Sequence, residues 1–184
     1  MAYVAFVLVG GLLVFGFARA IAPAVEKESE GICRPLDPVV QSRPRMPELV
    51  AEDLEGNTVE LADLRGKLVV LNFWATWCEP CTREWPELDK LAQRLGDRDD
   101  VVVVAVSIDK NRDDIAPYLE RMSLGDTPVL VWWDPTSAAN STFGGEKIPD
   151  TYFIDAEGRF TQAFINVRQW GSPAALRCVT GSIE

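Results

Sequence analysis

Histidine is absent from the sequence, and cysteine and methionine are scarce at four and three residues. A structural zinc site normally takes four Cys or His ligands. Two of the cysteines, Cys33 and Cys178, stand alone, so no second close pair exists to complete such a site, and none is expected. Basic residues are in the minority, with 18 Lys and Arg against 28 Asp and Glu and a net charge of −10. That balance argues against nucleic acid, and against an anionic lipid surface, as a partner of the folded part. Acidic surfaces mostly serve solubility, so it says little more. There is no internal repeat. The 184 residues, 47% of them hydrophobic, suit one domain plus an appendage.

What is present centres on Trp77-Cys78-Glu79-Pro80-Cys81. The apolar, β-branched run 68–74 before it has strand length, while 82–95 places Trp85, Leu88, Leu91, Ala92 and Leu95 at helical spacing. The two cysteines therefore sit where a strand hands over to a helix. Unpaired backbone N–H groups and the positive dipole end at that helix start favour a thiolate over a thiol. Cys78, nearest the tip, is the expected nucleophile, and Cys81, about one turn on, can reach back to it. Disulfide exchange passes through a mixed disulfide, which needs a second thiol close enough to resolve it. Pro80 costs the first helical turn nothing, because its missing donor would be orphaned anyway. Glu79 between the cysteines opposes thiolate formation, which points to a reducing rather than a strongly oxidising couple.

Residues 1–22 are apolar apart from Arg19 and are read as a membrane anchor. The alternative is a signal peptide, for which Ala18-Arg19-Ala20 offers a small-residue cleavage pattern but no preceding Lys or Arg. Residues 24–47, rich in proline and charge and without either secondary-structure period, read as a tether, giving a division into 1–22, 23–43 and a domain over 44–184. Glu55-Gly56-Asn57 and Ala156-Glu157-Gly158 mark hairpins joining 48–53 to 58–61 and 151–155 to 159–164. Residues 101–108 have the composition of a strand buried on both faces. Further on, a helix is expected over 113–122, a strand over 128–134, a weaker helix over 136–143, and a closing helix over 172–179 capped by Ser172. This alternation predicts a mixed α/β sheet flanked by helices.

The stretch from Asn72 to Pro86, with Trp74-Ala75-Thr76-Trp77-Cys78-Glu79-Pro80-Cys81 at its heart, resembles the active-site segment of TlpA/ResA-type thioredoxin-like proteins. Those are membrane-attached thiol-disulfide oxidoreductases of the bacterial cell envelope, and the likeness covers about 44–179. It implies a thioredoxin-like sheet with an N-terminal β-hairpin and a central insertion, preceded by an apolar helix. It also implies that Pro149 is cis, presenting the backbone of Ile148 to a substrate strand beside the cysteine pair, where spacing alone leaves an ordinary turn proline equally open. Thioredoxin has a buried aspartate where this chain has Asn72, which cannot titrate. The family pattern instead implies that Glu84, one turn past Cys81, takes its proton; from residue type alone Glu84 would be a solvated helix-surface group. Trp77, if exposed, is a candidate substrate contact, with core or rim packing as the alternative.

The implied activity is reduction of disulfides in other envelope proteins, as in cytochrome c maturation or copper-site assembly, with electrons from a membrane thiol donor and no cofactor. Arg19 and Lys27 after the apolar stretch would by themselves place the domain inside. Glu26, Glu28 and Glu30, the extra cysteines and the resemblance place it outside the cytoplasmic membrane. If Cys78 and Cys81 exchange, Cys33 and Cys178 are either bridged, as expected here for an oxidising compartment, or both free. Two other functions compete. One is a Cu(I) carrier using the pair as soft ligands, disfavoured by the lack of His and Met nearby. The other is a thiol peroxidase on a related fold, in which the threonine would stand three residues before the cysteine rather than two, as Thr76 does.

Overall fold

The computed structural model describes residues 31–40, 45–96 and 98–183. The expected anchor over 1–22 and the first part of the expected tether lie outside them. Among the described residues no helix is long and apolar enough to cross a membrane.

Eight strands form one sheet: β1 (Val39–Val40), β2 (Val50–Asp53), β3 (Thr58–Glu60), β4 (Leu68–Trp74), β5 (Val101–Ser107), β6 (Leu130–Trp133), β7 (Asp150–Ile154) and β8 (Phe160–Ile165). Their spatial order is β1-β8-β7-β4-β5-β6-β2-β3. β4 lies inside it, parallel to β5 and antiparallel to β7. Every residue of β4 is buried, which explains an apolar run broken only by Asn72: helices or loops cover both faces.

Successive side chains of a strand point to opposite faces. Leu68, Val70 and Trp74 join a core with α1 (Glu79–Leu95), α2 (Ile115–Arg121) and α4 (Pro173–Thr180). Val69, Leu71 and Phe73 join a second core on the other face, with Leu61, Phe143, Tyr152 and Phe160. Asn72 has the parity of the first set, and this brings it against α1. That helix buries Cys81, Glu84, Trp85, Leu88, Leu91, Ala92 and Leu95 along one side, a stripe of three- and four-residue steps.

Both expected hairpins are present as antiparallel pairs, β2 with β3 and β7 with β8. Between β5 and β7 the central insertion supplies α2, β6 and the four-residue α3 (Ala139–Thr142), with β6 extending the sheet parallel to β5. The helix expected over 113–122 begins as a 3-10 turn, Arg112–Asp114, whose Asn111 side chain accepts from the Asp113 N–H. Ser172 caps α4 by accepting from the Ala175 N–H.

The reading of 24–47 as a tether without either secondary-structure period is corrected for 31–40, which packs on the domain. A helical turn ends at Arg34–Leu36, β1 pairs with β8, and Cys33 and Leu36 are buried in the first core. A strand of two residues and one helical turn are too short to carry a readable period, and their stability comes from the body they pack on.

Candidate active site

β4 ends at Trp74, and the chain turns through Ala75, Thr76 and Trp77 before α1 begins. Cys78 is the residue just before that helix. Its backbone is extended (φ −89°, ψ 100°), and its Sγ accepts from the Cys81 N–H at 3.2 Å. A sulfur thus occupies the place where an oxygen side chain commonly satisfies an orphan donor. Cys78 and Cys81 are bonded to each other, with 5% and 1% of their surfaces exposed. Cys78 Sγ also lies 3.8 Å from the Ile148 carbonyl oxygen, and the Ile148-Pro149 bond is cis. Trp77, 66% exposed, stands at the rim. It lines a groove of about 590 Å³ with Ile108, Lys110, Asp114 and Ser137. Trp74 and Trp85 are instead buried core, meeting edge to face with ring centroids 4.8 Å apart.

Glu84 is not a surface group: it is 1% exposed. Its Oε1 accepts from the Arg168 N–H at 2.8 Å and from Trp170 Nε1–H at 2.9 Å. Its Oε2 accepts from Asn72 Nδ2 at 3.1 Å, and that amide also donates to Thr151 Oγ1 at 3.0 Å. Burial pushes the Glu84 carboxyl up to about 7, against the three donors and the charge of Arg168, which favour the ionised form. A carboxyl with that proton affinity, one helical turn from Cys81, is half ionised near neutral pH. Glu79 is exposed and ion-paired with Arg83, so its field on the cysteines is partly offset.

Cys33 and Cys178 are joined to each other, far along the chain from the exchanging pair, and both are fully buried. The site also contains residues that sequence reasoning missed. Asp109, 2% exposed, accepts from the Thr76 N–H at 2.9 Å, the Thr76 hydroxyl at 2.7 Å and the Ser107 hydroxyl at 2.7 Å, fixing the turn before Cys78. An acid just past the C-terminal end of a buried parallel strand was a usable signal, since functional groups of open α/β sheets gather there. The Thr76 hydroxyl is thereby turned to Asp109. Asp150, next to Pro149 and 1% exposed, is pushed up to about 6 by burial, opposed by the Asn166 N–H and the charge of Arg168. Arg168 and Trp170 sit in an irregular loop after β8 and carried no pattern at all.

Comparison with known proteins agrees with this geometry. The AhpC/TSA family profile matches residues 43–163. The thiol-disulfide oxidoreductase ResA of Bacillus anthracis is 33% identical over 119 residues, 65% of this chain and 66% of the relative, so the chain spans just under two thirds of that protein. The thioredoxin-like protein YneN of Bacillus subtilis is 32% identical over 122 residues, covering 65% of this chain and 68% of the relative. Among solved structures, a thiol:disulfide interchange protein of Chlorobium tepidum superposes with a TM-score of 0.63 over 78% of this chain and 99% of that one. At 23% identity that likeness shows the fold. With a thioredoxin-like sheet, a bonded Cys-x-x-Cys pair at the head of α1 and relatives of this kind, the chain belongs to the AhpC/TSA family of thioredoxin-like proteins and is a homologue of the ResA thiol-disulfide oxidoreductases.

Proposed function

We propose that the protein is a thiol-disulfide oxidoreductase that reduces disulfides in other proteins outside the cytoplasm. The observation that carries this reading is the Cys78–Cys81 bond, seated on the α1 terminus beside the Ile148 carbonyl. In the reduced protein the Cys78 thiolate attacks one sulfur of a substrate disulfide. That bond breaks, one substrate thiolate leaves, and a Cys78-substrate disulfide forms. Cys81 gives its proton to Glu84 and attacks Cys78 Sγ; the mixed disulfide breaks, the second substrate thiolate leaves, and the Cys78–Cys81 bond of this structure results. Two electrons have then passed to the substrate, and a dithiol donor must return them. The Ile148 carbonyl and the Trp77 rim offer an extended substrate a hydrogen-bond acceptor and an apolar contact.

Three features support an extracytoplasmic, membrane-attached setting: the buried Cys33–Cys178 bridge, which persists in oxidising compartments, the apolar stretch 1–22, and the ResA relatives. Cytochrome c maturation or copper-site assembly are the settings this reading favours, with a membrane thiol donor as electron source. Residues 44–184 carry the chemistry, with 1–22 as anchor.

Turbidity of insulin reduced by dithiothreitol tests the reading. A base must be ionised to take a proton, so exchange in the wild type should rise as pH climbs through about 7, the value to which burial lifts Glu84. Glu84→Gln keeps the shape and loses the titration. It should slow exchange by about a hundredfold, the lower end of a typical general-base contribution, and remove the rise near neutrality. An unchanged pH-rate profile in the variant would end the role assigned to Glu84, and no wild-type catalysis would end the reading.

A further inference from the structure

Arg168 follows β8, a long way in sequence from the cysteines, and none of the ion pairs among the described residues includes it. Its guanidinium instead donates to backbone carbonyls on two segments. Nε reaches the Leu36 oxygen at 2.6 Å and Nη2 the Asp37 oxygen at 3.3 Å. Nη1 reaches the oxygens of Ile165 at 2.7 Å, Val167 at 3.1 Å and Asn166 at 3.3 Å. One rigid fork thus laces the loop after β8 to the turn that Cys33 anchors through its bond to Cys178. The backbone N–H of the same residue ends on Glu84 Oε1 at 2.8 Å.

We infer that Arg168 is a positioning residue for Glu84: by clamping its own loop to the turn at 34–37, it aims its backbone N–H at the carboxylate and keeps its positive charge within reach of it. This rests on the proton-handling role proposed for Glu84 and extends it, because a segment that reads as a tether becomes part of the support of the reacting pair. The groups hydrogen-bonded to Glu84 are Asn72 from β4 and Arg168 and Trp170 from the loop; Thr151 of β7 is held by the same Asn72 amide, and Cys81 precedes Glu84 by about one turn of α1. Asp150 of β7 lies within reach of the Arg168 charge as well. Of these only Arg168 is a fixed cation, and it favours the ionised carboxylate first through its backbone N–H and then through its charge.

The test is a titration of the full chain with its disulfides intact, so that Cys81 stays silent, following the carbon-13 signal of the Glu84 carboxyl. Arg168→Gln should raise the Glu84 midpoint by about one pH unit, and Arg168→Lys, which keeps the charge and loses the fork, by less. An equal midpoint in Arg168→Gln and wild type overturns the inference. A second measurement needs no variant: the Arg168 amide proton of the wild type should shift with the Glu84 midpoint, and an amide that ignores it also overturns the inference. Neither readout involves exchange. Wild-type protein that fails to reduce insulin while the Arg168→Gln midpoint still moves would therefore refute the proposed function and leave the clamp standing. In an active protein, Arg168→Gln should displace the neutral rise of the rate to higher pH by the same amount.

Discussion

A Cys78→Ser variant is expected to reduce insulin no faster than dithiothreitol does by itself. The reasons are geometric and chemical together. Cys78 is the sulfur that caps α1, where the Cys81 N–H points at it and the dipole of the helix favours negative charge. Cys81 is one turn inside and 1% exposed against 5% for Cys78, and it does not sit against the Ile148 carbonyl, so it is not the sulfur offered to a substrate. A serine hydroxyl in the Cys78 position stays protonated near neutral pH and cannot form a disulfide. The fold should survive, because Ser is itself a good residue for a helix start. Equal unfolding midpoints for the reduced wild type and the variant, with activity only in the former, is the expected pair of results. Residual catalysis in Cys78→Ser would mean that another thiol attacks first.

The second large effect concerns stability. Cys33 and Cys178 close a loop of 145 residues, and both are 0% exposed. In the chain-entropy account a crosslink of that span removes about 5 kcal/mol of unfolded-state freedom, and native bridges typically contribute about 2–5 kcal/mol when removed. Whole domains are stable by only about 5–15 kcal/mol, so this one bond weighs heavily. The paired replacement Cys33→Ala and Cys178→Ala should therefore lower the thermal midpoint by about 10 °C, at about 2–4 °C per kcal/mol for a chain of this size. Calorimetry of the oxidised proteins measures it directly. A midpoint within a degree or two of wild type would show that the turn at 34–37 is held by Arg168, Leu36 and β1 without help from the bridge.

The mixed sheet, its two hairpins and the position of the Cys-x-x-Cys pair could be read from the sequence because each depends on local pattern. β4 announces itself by an apolar run broken only at Asn72, and the hairpins by Gly56 and Gly158, whose backbones take φ of 90° and 79°, a region glycine enters without strain. The rest depends on what arrives from elsewhere in the chain. Helical spacing puts Glu84 on the face of Cys81, but whether that face meets solvent or sheet is decided by Asn72, Arg168 and Trp170, which no local pattern joins to it. The segment 31–40 went unread for the same reason. Its order comes from β8, α4 and Arg168, and its own residues are too few for a period to emerge. Asp109 was closer to legible, since it follows a buried strand directly, yet its work on the Thr76 turn appears only once β4 and β5 lie side by side.

The division of labour between the two sulfurs can be observed in a single tube. Reduced Cys81→Ser protein, freed of reductant and mixed with a disulfide-containing protein such as insulin, should accumulate as a covalent adduct, and peptide mapping should place the link on Cys78. Loss of that adduct on restoring Cys81 completes the expected result. A link on any other residue, or no adduct from a folded variant, would contradict the assignment on which everything else here depends.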